Sequence, residues 1–205
     1  MTSAAHSVDP AIETVMLDGT VLTGRRCRHI MLNKPSGYIT ATEDMRAPTV
    51  MDLLEPHLRG AGLGPIGRLD KDVTGLVLLT TDGQLAHRLI SPRRDHEKVY
   101  IAKVEGCVGS DAVRMFAGGM AFADFTAKSA ALEIIDAGAT SSCRVTLTEG
   151  KYHQVKRMFQ AIGHPIITLE RVSIAGVALD TLLAPGAYRD LNDAEAETLY
   201  RAAGI

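Results

Sequence analysis

Two stretches of this chain carry residue types that could do chemistry. In Gly67-Arg68-Leu69-Asp70-Lys71 an acid is held between two cations, directly ahead of the apolar run Leu76-Val77-Leu78-Leu79. An aspartate so placed at the mouth of a buried strand is ionised at neutral pH, which makes Asp70 a candidate nucleophile or electrostatic catalyst. Taken alone, the same residues describe an exposed ion pair more readily than a catalytic acid. The second stretch runs from Glu149 to Met158 and includes Lys151, Lys156 and Arg157. Val155, Met158, Phe159 and Ile162 recur at helical spacing, so an amphipathic helix ends at Gly163 with its apolar stripe in the core. Lys156 and Arg157 then lie near the positive end of the helix dipole. Cations there call for an anion, either a phosphate or the Asp70 carboxylate, unless the helix face is simply solvated.

Other constellations are weaker. The seven histidines never pair at i, i+4 on a helix with an acid, and Cys27, Cys107 and Cys143 show no C-x-x-C spacing, so neither a metal site nor a disulfide framework is expected. Asp70 and Asp72 come from one short loop and have no means of flanking a sugar from opposite sides, as a glycosidase pair must. Gly60-Ala61-Gly62-Leu63-Gly64 lacks the strand context and the trailing Lys-Ser/Thr of a phosphate cradle, and reads as a connection.

The elements that must position these residues follow from turn signals and periodicity. Strands are expected at His29 to Asn33, Tyr38 to Thr42, Leu76 to Thr80 and Lys98 to Glu105, then at Phe125 to Lys128, Ala131 to Ile135 and Cys143 to Thr148. Thr49 and Asp52 form a capping box for a short helix stopped by Pro56. Gln84 to Ile90 and Ser110 to Phe116 are further helices, the second capped by Ser110. Tight turns between strands, with helices interspersed irregularly, indicate an α+β fold around a mostly antiparallel central sheet with flanking helices. Residues 1–28 read as an N-terminal arm, and 29–205 as the main domain.

A chain of 205 residues is long enough to bury a core without external staples. No stretch approaches the roughly 18 apolar residues of a membrane span, the N-terminus lacks a leader pattern, and the few cysteines fit a cytoplasmic setting. The net charge of −2 argues weakly against a nucleic-acid partner. Its distribution argues the other way: Arg25, Arg26, Arg28 and Lys34 form one basic cluster, Arg88, Arg93, Arg94, Lys98 and Lys103 a second, and the chain beyond Asp180 is acidic. One face could meet phosphates while the opposite face stays solvated, although scattered surface charge explains the composition equally well.

In order, Met31-Leu32-Asn33-Lys34-Pro35-Ser36-Gly37-Tyr38, Gly67-Arg68-Leu69-Asp70 with Gly75-Leu76-Val77-Leu78-Leu79-Thr80 and Asp82-Gly83, Glu97-Lys98-Val99-Tyr100, and Glu149 to Met158 resemble the RsuA-type branch of the RNA pseudouridine synthases. The likeness extends to Leu183-Ala184-Pro185-Gly186-Ala187-Tyr188-Arg189. It implies the pseudouridine synthase fold with a basic cleft, and Asp70 as the carboxylate that acts while the C1'–N1 bond of a uridine breaks, before the base turns and rejoins through C5. It further implies Tyr100 stacking on the flipped base, Lys156 pairing with Asp70, and no cofactor or metal, since the reaction is an isomerisation. Arg68 is the residue expected to hold the RNA backbone or the flipped nucleotide; Lys34, Arg93, Arg94, Lys151 and Arg157 are further expected RNA contacts, although the motif containing Lys34 and Pro35 is more structural than catalytic.

The resemblance implies a monomer acting on ribosomal RNA or a ribosomal subunit precursor. 16S RNA is preferred because Tyr152-His153-Gln154-Val155-Lys156-Arg157-Met158 is RsuA-like, and 23S RNA is the rival; a ribosome-assembly protein that binds RNA without catalysis is the alternative from another class. Two features depart from the family pattern. Val73 stands where Thr is common, and the 28 residues before the matched region are too few for an S4 RNA-binding domain, as in a subgroup without S4 or a shortened chain.

Overall fold

Two central strands set the architecture. β3 (His29–Lys34) is buried at every position and β5 (Thr74–Thr80) at all but its first. Their side chains alternate between two cores, as strand geometry requires. Ile30, Leu32, Val77 and Leu79 enter one cluster, while Met31, Leu76 and Leu78 enter the other. A strand apolar on both faces needs cover on both, which explains a continuous run where an exposed sheet would alternate.

The computed structural model describes residues 15–17, 20–22, 27–91 and 94–205. β1 (Val15–Leu17) and β2 (Thr20–Leu22) pair antiparallel as a separate ribbon; the rest of the expected N-terminal arm, apart from Cys27 and Arg28, lies outside the described residues. The main sheet is ordered β13 (Tyr188–Asp190), β3, β5, β11 (Ile166–Ile174), β6 (Lys98–Glu105), β10 (Thr140–Leu147) and β9 (Ala131–Asp136). β4 (Gly64–Pro65) joins β5, and β12 (Val177–Ala178) joins β11. The sheet is mixed, because β5 and β11 run parallel at its centre. The other described pairings are antiparallel, so the mostly antiparallel reading holds in part; the parallel pair, distant in sequence, leaves no turn signal.

Helices cover both faces. α3 (Ser110–Gly118) and α4 (Gln154–Ala161) place Phe116, Val155, Met158 and Phe159 in the first core. α2 (Gly83–Ile90) and α5 (Asp193–Ala203) place Leu85, Leu89, Leu199 and Ala203 in the second. α1 (Pro56–Arg59) and the small ribbon of β7 (Met120–Ala121) and β8 (Thr126–Ala127) complete the described elements.

Several local expectations need correction. No strand forms over 38–42; only Ile39 bridges, to Thr49. The Thr49–Asp52 capping box is present, but it opens a 3-10 turn at Val50–Leu53, and Pro56 starts α1 rather than stopping a helix. Proline at a first helical turn loses no hydrogen bond, so it permits either outcome. The cap of α3 is Gly109, not Ser110. α4 begins only at Gln154, and 149–153 forms a loop folded against it.

Candidate active site

The Asp70 loop connects β4 to β5, and the motif after β3 holds it in place. The Lys34 side chain is fully buried, and its ammonium donates to the carbonyls of Pro35, Lys71 and Val73 at 3.1, 3.2 and 2.6 Å. The Gly37 N–H donates to the Lys71 carbonyl at 2.8 Å. Thr40 Oγ1 closes the clamp, donating to the Leu69 carbonyl and accepting from the Leu69 N–H, both at 3.0 Å. Apart from the Pro35 carbonyl, every backbone group fixed in this way belongs to residues 69–73 around Asp70, so the buried Lys34 side chain, with Gly37 and Thr40, braces the Asp70 loop. Lys34 is therefore not an RNA contact. Burial pulls its pKa from 10.5 down to about 8, against the opposing pull of Asp72 and Asp70.

Opposite the loop stands α4. Lys156 Nζ lies 3.0 Å from Asp70 Oδ2 and 2.7 Å from Asp72 Oδ1, so one ammonium bridges two carboxylates. Burial lowers the Lys156 pKa, but its hydrogen bonds to Asp72 and Asp70 outweigh it and the group stands above an ordinary lysine. The hydrogen bond from Lys156 holds Asp72 below the usual carboxylate range. The anion anticipated at this helix end is thus supplied by the protein. Among the described residues Asp70 pairs with Lys156 and lies close to the His153 ring, and forms no ion pair with its sequence neighbours Arg68 and Lys71. His153 Nε2 is 3.4 Å from Asp70 Oδ2, and its backbone is left-handed at φ 51°, ψ 29°.

Tyr100 lies on β6, opposite Val145 of β10 and Arg171 of β11, and is nearly buried. Asp70, Tyr100 and Lys156 line one open cleft of about 460 Å³ with Arg68, Lys151 and His153 on its rim and Leu69, Val73, Leu147 and Leu169 on its apolar wall. A second hollow of about 1080 Å³ continues past Lys156 and Asp72 towards Ser36, Thr74, Gln160 and Thr168. The cleft combines a carboxylate paired to a cation, an aromatic ring on its wall, and apolar surface that limits water. Such a site can accept a flat, uncharged base while keeping an ionised acid beside it.

The expected RNA contacts divide. Arg68 and Lys151 are exposed at the rim. Arg157 is occupied elsewhere: its guanidinium lies 4.7 Å from the ring centres of both Phe122 and Phe125, and grips Asp124 with two hydrogen bonds of 2.9 and 2.5 Å. It ties the β7–β8 ribbon to α4. Arg94 donates to the carbonyl of Ala203 at 2.5 Å and, with Arg88, satisfies the open carbonyl end of α5. Arg93 lies outside the described residues. Sequence reasoning missed Thr40, Asp72 and His153 as site residues. Asp72 left the one usable signal, a second carboxylate two residues from Asp70.

Comparison with known proteins agrees with this geometry. A model of the family described as RNA pseudouridylate synthase matches residues 28–161. Ribosomal small subunit pseudouridine synthase A of Escherichia coli strain K12 is 46% identical over 171 residues, covering 82% of this chain and 72% of that protein. A Bacillus subtilis protein named uncharacterized RNA pseudouridine synthase YtzG is 42% identical over 195 residues, covering 94% of this chain and 81% of its own. Among solved structures, a crystal structure of a pseudouridylate synthase superposes with a TM-score of 0.79 at 40% identity, covering 87% of this chain and 76% of that one. An archaeal box H/ACA Nop10–Cbf5 complex, at 19% identity and a TM-score of 0.55 over 87% of this chain and 56% of that one, shares the fold. With the family's motifs carried on a cleft that joins Asp70, Tyr100 and Lys156, the chain belongs to the RNA pseudouridine synthases, enzymes that isomerise uridine, and to their RsuA-type branch.

Proposed function

We propose that this chain converts a uridine of small-subunit (16S) ribosomal RNA to pseudouridine, acting as a monomer in the cytoplasm. The observation that carries the chemistry is the Asp70–Lys156 pair at 3.0 Å in a cleft walled by Tyr100. Support for the target comes from relatives named ribosomal small subunit pseudouridine synthase A at 44–46% identity.

In this reading the uridine leaves its stack and enters the cleft, where Tyr100 packs on the base. Asp70 acts on the nucleoside as the C1'–N1 bond breaks, and Lys156 pairs with the carboxylate and aims it. The base turns within the cleft, C5 bonds to C1', the C5 proton leaves to solvent, and N1, freed from C1', takes up a proton. Arg68 and Lys151 hold the phosphates at the rim. Atoms are conserved throughout, so no second substrate is consumed.

The test is tritium release from C5-labelled 16S and 23S transcripts and from assembled subunits, with wild type and Asp70→Asn. Release from 16S RNA or its particle alone, absent in the variant, is the expected result. Release from 23S RNA alone would overturn the target. RNA binding with no release from any substrate would favour a binding protein over an enzyme.

A further inference from the structure

Tyr152 is out of place for a structural aromatic. It is 73% exposed, between Lys151 and His153, which line the cleft, in a chain with only five tyrosines and four phenylalanines. One face of its ring lies on the imidazole of His153, with centroids 3.8 Å apart and planes 18° from parallel. That exposure leaves the other face to solvent. An aromatic ring in water gains little from hydration, so a rigid exposed ring is a surface prepared for another flat group.

The backbone that carries the ring is held by its neighbours. His153 takes a left-handed backbone, one of two non-glycine residues with positive φ among those described. Such strain persists only where neighbours fix it. Here Gln154, nearly buried, accepts the Lys151 N–H at 3.0 Å and donates to Glu149 Oε1 at 2.8 Å, while the His153 carbonyl accepts the Arg157 N–H at 2.9 Å. The stack begins at the reacting centre, since His153 Nε2 is 3.4 Å from Asp70 Oδ2. Arg68 and Lys151 supply exposed positive charge on the same rim.

We propose that Tyr152, seated on His153, is a second base-binding site: it stacks an unpaired RNA base that neighbours the uridine held in the cleft. The proposal rests on the reading of the chain as an enzyme acting on RNA. Stacking on a ring face engages no base edge, so the site selects for an unpaired neighbour rather than for its identity. Duplex RNA keeps its bases within the helix and gains nothing from the ring. Single-stranded loops are therefore the substrates that the rim favours.

The chain contains no tryptophan, so Tyr152→Trp introduces a unique fluorophore at the site. The probes are the 16S transcript, a single-stranded oligouridylate and a perfect RNA duplex, with filter retention run in parallel as a separate measure of binding. Quenching of the indole by the oligouridylate and by the 16S transcript, through its unpaired loops, and not by the duplex, is the expected result. In turnover assays Tyr152→Ala should raise KM by about 5- to 150-fold, the range set by loss of one base stack, with kcat little changed. Tyr152→Phe should restore the wild-type KM, because stacking needs the ring and not the hydroxyl. Retention of RNA with unchanged emission, or an unchanged KM in Tyr152→Ala, overturns the stacking site alone. No retention of any RNA by the wild type overturns both this site and the reading on which it rests.

Discussion

Replacing Lys34 with methionine tests whether the first motif acts as a brace. Methionine matches the length and apolar stem of lysine but cannot donate, so two hydrogen bonds to carbonyls of the Asp70 loop and one to the Pro35 carbonyl are lost. A hydrogen bond from a charged donor contributes about 1.5–3 kcal/mol. Set against this is the burial that brings the Lys34 pKa from 10.5 to about 8, a cost of about 3 kcal/mol that methionine does not carry. The Lys71 carbonyl keeps the Gly37 N–H, which limits the damage, whereas the Val73 carbonyl loses a 2.6 Å bond. The net expectation is a destabilisation of about 2–4 kcal/mol, read by urea unfolding at pH 7. The pH dependence has a definite sign. Between about 8 and 10.5 the unfolded chain holds a proton on Lys34 that the folded chain has released, so the lysine's contribution to stability grows as pH rises through that window. The gap between wild type and Lys34→Met should widen there. Turnover should fall as well, because the loop that aims Asp70 loses its anchor. A variant within about 0.5 kcal/mol of wild type, the range of an ordinary surface change, would refute the brace.

Gly75 has φ +94°, and a Cβ there would lie 2.3 Å from the Arg171 carbonyl oxygen and 2.8 Å from Glu170 Cγ. Gly75→Ala should therefore cost about 3–5 kcal/mol and lower Tm by about 10 °C, and a Tm within about 2 °C of wild type would refute that close approach of β5 to β11. For the cations, Arg68→Ala should reduce the slope of log affinity against log salt by about one for single-stranded RNA, whereas Arg157→Ala should lower Tm and leave that slope unchanged. The reverse pattern would return Arg157 to the RNA surface and remove Arg68 from it.

Much of the scaffold was legible because its signals are local. Asp82 and Gly83 announced the start of α2, and the alternation of Tyr100, Ala102 and Val104 fixed the buried face of β6. The grouping of Asp70, Tyr100 and Lys156 came from the order of motifs, which resemblance reads and periodicity does not. What stayed hidden depends on contacts across long separations. Lys34 looked like part of a basic cluster because sequence cannot show that its ammonium turns inward to carbonyls some 40 residues away. Arg157 looked like a phosphate ligand because Phe122, Asp124 and Phe125 lie on a ribbon too short to register as a pattern. Asp70 was assigned its neighbours Arg68 and Lys71 as cations, whereas its ion-pair partner, Lys156, stands on a helix far along the chain.

Lys156 holds two acids of unequal exposure: the Asp70 side chain is 32% exposed and that of Asp72 is 70% exposed. Any chemistry that takes the negative charge from Asp70, by bonding it to carbon or by giving it a proton, would leave a lone carboxylate's partner stranded as an uncompensated cation. Here the ammonium keeps Asp72, so the site passes from a triad with one net negative charge to a neutral pair. The electrostatic load of the reaction is thereby shared by a residue that need never touch the nucleoside. An acid at the mouth of a cleft meant for a polyanion works against binding, and its place there is intelligible as a counterweight that moves nowhere while the charge beside it disappears and returns.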